Sequence, residues 1–133
     1  MPQPMRFLVI EDDHDSREIM ALILRVEGHN VQVAEDRDAA LELLAKGDVD
    51  VIVMDYMMPG TSAFEFCKKI REQAPTTRII LTTAGNIAKT RADFLGIASF
   101  VPKPFTPAQL IEATTAVEAH ETASPVESKT NLN

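Results

Sequence analysis

The stretch Val49-Asp50-Val51-Ile52-Val53-Met54-Asp55-Tyr56-Met57-Met58-Pro59-Gly60 decides the fold of this 133-residue chain. Its apolar run, Val51–Met54, is rich in β-branched residues and reads as a strand buried on both faces, the pattern of a parallel sheet. Pro59-Gly60 marks the loop that follows. Asp55 is thereby placed at the carboxyl end of a buried strand, where open α/β sheets bind their ligands. A lone Asp in that position is more often a turn residue than a reactive one. The decision rests on the rest of the chain.

Working outward, short apolar runs alternate with helical periodicities. Met5–Ile10 reads as a first strand and stops at Glu11-Asp12-Asp13. Between Asp15 and Glu27, Ile19, Leu22, Ile23 and Val26 recur at helical spacing, and Gly28 is a stop signal. Val31–Ala34 is a second strand, and Asp36–Lys46 a helix with Ala40, Leu41 and Leu44 inward, closed by Gly47. Beyond the central strand, Ser62-Ala63-Phe64-Glu65 is a capping-box pattern for a third helix running to about Gln73, with Pro75 beyond it. Arg78–Thr82 reads as a fourth strand, Ile87–Leu95 as a helix with a poor apolar stripe, and Ser99–Val101 as a short fifth strand. Thr106-Pro107-Ala108-Gln109 opens a last helix with proline at its first position, extending to about Ala119. Five βα units joined by short links predict a doubly wound, five-stranded parallel sheet with helices on both faces.

The composition agrees with one α/β domain at residues 5–119, preceded by a short tail at 1–4 and followed by a disordered tail at 120–133. No apolar run approaches the ~20 residues of a membrane span. The single cysteine, Cys67, excludes an internal disulfide and fits a reducing cytoplasm. It falls beside Phe66 and Ile70 on the inward face of the third helix, as a core residue. A net charge of −7, with one Tyr and six Phe, argues against direct nucleic-acid binding. His14, His29 and His120 show no metal-ligand spacing.

In such a sheet the carboxyl ends of adjacent strands converge on one edge. Glu11 and Asp12 follow the first strand, Asp55 the third, Thr83 the fourth and Lys103 the fifth. Three carboxylates so placed repel one another unless a cation joins them. An all-oxygen set with room for water suits Mg²⁺. With Lys103 as a second positive charge and Thr83 as a hydroxyl donor, the group can hold a phosphoryl group. Asp55 is then the nucleophile, since a carboxylate can form an acyl phosphate. Taken singly, each residue has an ordinary structural use: a turn acid, a strand-end threonine, a loop lysine. Asp13 reads as a helix cap alone.

FLVIEDD (7–13), VIVMDYMMPG (51–60), LTTAG (81–85) and FVPKPF (100–105), in this order, closely resemble the receiver domain of two-component response regulators. The resemblance covers about residues 5–119. It implies a flavodoxin-like (βα)5 fold with strand order 2-1-3-4-5. It further implies phosphorylation of Asp55 by a histidine kinase or histidine phosphotransfer protein. By the same resemblance, Mg²⁺ is bound by Asp12, Asp55 and the backbone carbonyl of Met57, with Glu11 acting through water. Thr83 and Lys103 contact the phosphoryl oxygens, Phe100 is the aromatic switch partner of Thr83, and Lys103-Pro104 is cis. The resemblance implies a cytoplasmic phosphoprotein of phosphorelay signal transduction acting through an unidentified downstream protein, without membrane contact. In the absence of a DNA-binding or enzymatic module, the reading expects a stand-alone regulator.

The sequence departs from the family in four places. Thr61-Ser62-Ala63 stands where most receivers carry Asp-Gly, and the interval from Thr83 to Lys103 is shorter than usual. Met57 and Gly85, each two residues beyond a site residue, cannot orient an attacking water, so slow hydrolysis of the aspartyl phosphate is expected. Phe100 lacks the hydroxyl of a tyrosine switch. Two other classes compete. A Mg²⁺-dependent phosphohydrolase working through an aspartyl phosphate would need a second acid where Met57 stands. A degenerate receiver used as an unphosphorylated interaction module would not need the intact Glu11, Asp12, Asp55, Thr83 and Lys103.

Overall fold

The computed structural model describes residues 3–84 and 97–117, with the side chain of Phe100 excepted. The elements are β1 (Arg6–Ile10), α1 (His14–Val26), β2 (Asn30–Ala34), α2 (Arg37–Lys46), β3 (Val51–Asp55), α3 (Ala63–Gln73), β4 (Arg78–Thr83) and β5 (Ser99–Pro102). A last helix covers residues 107–117. The strands form one five-stranded sheet in the order β2-β1-β3-β4-β5, and every pair is parallel. This is the doubly wound arrangement that the alternating pattern predicts. The helix expected over Ile87–Leu95 and the tail expected from residue 120 lie outside the described residues.

Strand alternation divides the core into two layers. Leu8, Ile10, Ile52, Met54, Ile79 and Leu81 face α2 and α3, where Ala40, Phe66, Cys67 and Ile70 close over them. Phe7, Val9, Val51, Val53 and Ile80 face the other side, against Met20 and Leu24 of α1 and Leu110, Ala113 and Val117 of the last helix. All five residues of β3 are buried, because the strand lies mid-sheet with helices on both faces. Asp55 is therefore the last residue of the strand, not the first of the loop.

The helix ends follow their capping residues. Asp13 caps α1 by accepting from Ser16 N at 2.8 Å, Asp36 caps α2 through Ala39 N at 2.7 Å, and Ser62 caps α3 through Glu65 N at 3.1 Å. At the last helix the capping box closes in both directions: Thr106 N donates to Gln109 Oε1 at 2.8 Å, and Gln109 N donates to Thr106 Oγ1 at 3.2 Å. The Lys103-Pro104 peptide is cis, as the resemblance implies.

The spacing that marks α1 as a helix leaves its inward face open, and the structure supplies it. Met20, Ala21 and Leu24 are the buried residues, with Ile23 partly buried beside them. Ile19, Leu22 and Val26 point outward, exposed to 56, 60 and 74%. The helix carries apolar side chains around most of its circumference, so periodicity alone could not choose the face that meets the sheet. Leaving three such side chains in water forgoes about 1.5–3 kcal/mol each relative to burial. They form one stripe at i, i+3 and i+7.

Candidate phosphoacceptor site

At the carboxyl edge of the sheet, the ends of β1 and β3 and the loop after β5 bring four of the expected residues together. Side-chain oxygens of Glu11, Asp12 and Asp55 lie within 4.8 Å of one another. Lys103 Nζ donates to Asp55 Oδ2 at 2.8 Å and to Glu11 Oε1 at 3.3 Å. Asp55 Oδ1 accepts from the Met57 backbone N–H at 3.1 Å, so both carboxylate oxygens are held.

The three acids sit in different surroundings. Glu11 is buried and Asp12 exposed, with the Asp55 side chain 10% exposed between them. Burial raises the pKa of Glu11 above the ordinary carboxylate range; the Asp13 backbone N–H and the Lys103 charge oppose this, while Asp12 and Asp55 add to it. For Lys103, burial pulls the ammonium pKa down, but the bond and charge of Asp55 and the proximity of Glu11 outweigh it and leave the pKa raised. The ammonium is thus fixed as a cation between two acids. The donor set fits Mg²⁺: three crowded carboxylates, all oxygen, one of them open to water.

Thr83 is the last residue of β4 and is buried, and its carbonyl accepts from Lys103 N at 2.6 Å, tying the lysine loop to that strand end. Met57 is the second residue of the loop after β3 and is 68% exposed. Phe100 pairs with Leu81 in the β4–β5 register; the expected inward swing of its ring lies outside the described side chains. Beside the site, Ser16, Ile19 and Met20 of α1 face Lys103, Pro104 and Phe105 across an open groove.

Two residues at this edge are absent from the sequence reading. Arg37, the first residue of α2, is 2% exposed. Its Nη2 donates to the carbonyls of Asp55 at 2.8 Å and Tyr56 at 3.1 Å, and its Nη1 donates to the carbonyl of Thr61. A signal existed: a cation in the first turn opposes the helix dipole, so its charge needs other partners. Arg17 also escaped notice; its Nη1 covers the Glu11 carbonyl at 2.9 Å.

The profile of the response regulator receiver domain matches residues 7–115. The chain belongs to this family. Response regulator MprA of Mycobacterium sp. (strain KMS) is 34% identical over 110 residues, covering 81% of this chain and 48% of that protein. The transcriptional regulatory protein ResD of Bacillus subtilis (strain 168) is 33% identical over 107 residues, covering 80% of this chain and 45% of ResD. The chain thus spans about half the length of the curated relatives it matches. Among solved structures, the chemotaxis response regulator CheY4 of Vibrio cholerae superposes with a TM-score of 0.80 at 28% identity, covering 86% of this receiver and 99% of CheY4. TrrA of Thermotoga maritima, solved in complex with Mg²⁺-BeF, superposes with a TM-score of 0.77 at 29% identity, covering 85 and 98%.

Proposed function

We propose that this receiver accepts a phosphoryl group on Asp55 from a histidine kinase or histidine phosphotransfer protein. The observation that carries the reading is the Asp55 carboxylate, held at 2.8 Å by Lys103 and crowded within 4.8 Å by Glu11 and Asp12. One carboxylate oxygen of Asp55 attacks phosphorus as the P–N bond of the phosphohistidine breaks, leaving an aspartyl phosphate and a free imidazole. Lys103 and the Thr83 hydroxyl hold the phosphoryl oxygens, opposing the charge that builds on them. Asp12, Asp55 and the Met57 carbonyl would hold Mg²⁺, with Glu11 acting through water. When bound, the metal neutralises acid and phosphoryl charge together.

The protein is a phosphoacceptor, not an enzyme with turnover. Met57 carries no group able to orient a water, and the aspartyl phosphate decays slowly without a partner phosphatase. Phosphorylation shifts the domain between two conformations through Thr83 and Phe100, and the altered surface is read by a protein partner. The apolar stripe Ile19, Leu22 and Val26, next to the groove at Lys103, supports a protein-binding role for this side of the domain. The net charge of −7 weighs against direct nucleic-acid binding. The single cysteine, Cys67, supports a reducing cytoplasm as its location. Separately, among the described residues no helix is long and apolar enough to cross a membrane.

The test is Mg²⁺-dependent uptake of a small-molecule phosphoryl donor, or of beryllofluoride, followed by intact mass and backbone NMR. The wild type gains one phosphoryl group, and Asp55→Asn gains none while keeping its fold. A folded wild type that neither binds Mg²⁺ nor takes up the group refutes the proposal and leaves an unphosphorylated interaction module.

A further inference from the structure

The loop after β3 is fixed from below by one side chain. Its first two peptide units are each held at both ends. In the 55–56 unit, the Asp55 carbonyl accepts from Arg37 Nη2 at 2.8 Å, and the Tyr56 N–H donates to the Thr82 carbonyl at 2.8 Å. In the 56–57 unit, the Tyr56 carbonyl accepts from the same Nη2 at 3.1 Å, and the Met57 N–H donates to Asp55 Oδ1 at 3.1 Å. The other nitrogen, Nη1, holds the Thr61 carbonyl, so a single guanidinium brackets the loop from 55 to 61. The Met57 N–H that positions the Asp55 carboxylate thus belongs to the peptide whose oxygen is bonded to Arg37. A cation on that oxygen polarises the peptide and strengthens its N–H as a donor.

This arrangement carries a cost. Arg37 is 2% exposed, and its Nε has no partner among the described residues. An unpartnered buried donor is destabilising, and burial holds the guanidinium pKa below its ordinary value. Asp55 and Asp12 act in the opposite sense, favouring its charge from the acid cluster. A lysine in its place would supply a point charge without the planar fork that reaches three carbonyls.

We propose that Arg37 is a positioning residue of the phosphorylation site, orienting the Asp55 carboxylate through the 56–57 peptide. The inference rests on the reading of Asp55 as phosphoacceptor. Arg37 itself touches neither the phosphoryl group nor the metal.

The test compares wild type with Arg37→Lys and Arg37→Gln in full-length protein. The readouts are Mg²⁺ affinity, the rate of uptake from a small-molecule phosphoryl donor at saturating Mg²⁺, and the Met57 amide resonance without metal. Arg37→Gln is expected to weaken Mg²⁺ binding and slow uptake, each by about tenfold, as loss of a partner that orients metal ligands does. Arg37→Lys is expected to fall between Arg37→Gln and wild type. The Met57 amide moves toward the position of an unbonded N–H in both variants, before any metal is added. Variants that fold, melt at lower temperature, yet keep wild-type Mg²⁺ affinity, uptake rate and Met57 resonance overturn the proposal, because Arg37 is then structural alone. One measurement needs no variant. The Nη protons of Arg37 exchange slowly with water in wild type, and exchange as fast as in free arginine overturns it. Failure of the wild type itself to take up phosphoryl refutes the phosphoacceptor reading instead, and the two failures are told apart.

Discussion

Asp12→Asn should make the metal-free protein more stable and the Mg²⁺-loaded protein less stable than wild type. The side-chain oxygens of Glu11, Asp12 and Asp55 fall within 4.8 Å of one another, while among the described residues the Lys103 ammonium pairs with Glu11 and Asp55 and not with Asp12. Neutralising Asp12 therefore relieves repulsion without breaking an ion pair. At about 4.8 Å, two unit charges repel by about 3.5 kcal/mol in an effective dielectric of about 20. Asp12 is exposed, so water and salt reduce this, and the nearby ammonium cancels more. A net relief of about 1 kcal/mol corresponds to a rise in Tm of about 4 °C for a domain of this size. Mg²⁺ at about a hundred times its Kd adds about 2.7 kcal/mol to a protein that binds it. The variant, one ligand short, gains little of this, and the order of stability inverts.

Circular-dichroism melts in EDTA and in Mg²⁺, with exposed Glu72→Gln as a remote control, read this directly. The pH dependence supplies a second check. The pKa of Glu11 is raised in the folded state, so its contribution to stability is present at acid pH and lost as pH rises through that value. Asp12 is one of the causes of the rise, after burial, so Asp12→Asn makes the loss shallower. A variant less stable than wild type in EDTA would refute the crowded-charge argument. Equal stabilisation of both proteins by Mg²⁺ would remove Asp12 from the metal site.

Ser62→Ala removes the cap that accepts from Glu65 N and should cost about 1 kcal/mol in urea unfolding. Asp50 accepts from Arg6 Nε at 3.1 Å, Nη2 at 2.9 Å and backbone N at 2.8 Å, bonds that hold its pKa below the ordinary value. That stability is present above the unfolded carboxylate pKa, about 3.9, and is lost as pH falls through the lower folded value. Asp50→Asn should accordingly be less stable than wild type at neutral pH, with the gap closing in acid-unfolding curves. Leu22→Ser, on the exposed stripe of α1, should change stability by no more than about 0.5 kcal/mol. It should slow phosphotransfer from a protein donor while leaving uptake from a small-molecule donor unchanged.

The features legible in the sequence were those written in local chemistry. Apolar runs at 7–10 and 51–54, glycine stops at 28 and 47, and caps at Asp13, Ser62 and Thr106 define elements one at a time. The parallel order then carries Glu11, Asp12, Asp55 and Lys103 to one edge without further information. What escaped depends on which neighbour an element meets. Helix α1 offers two apolar stripes, and the choice of Met20 and Leu24 over Ile19, Leu22 and Val26 is made by the sheet and the last helix. Arg37 escaped for a related reason: its partners are main-chain oxygens at positions 55, 56 and 61, and a backbone carbonyl has no signature in sequence. Both misses involve side chains in places their type disfavours, a leucine in water and a guanidinium in the core. In a domain whose core otherwise obeys its pattern, such exceptions collect where function is expected. The exposed stripe borders the groove at Lys103, and the buried cation sits beneath the Asp55 loop. The residues that pattern reading left unplaced are therefore the ones to which we assign, as proposals, partner contact and the positioning of the Asp55 carboxylate.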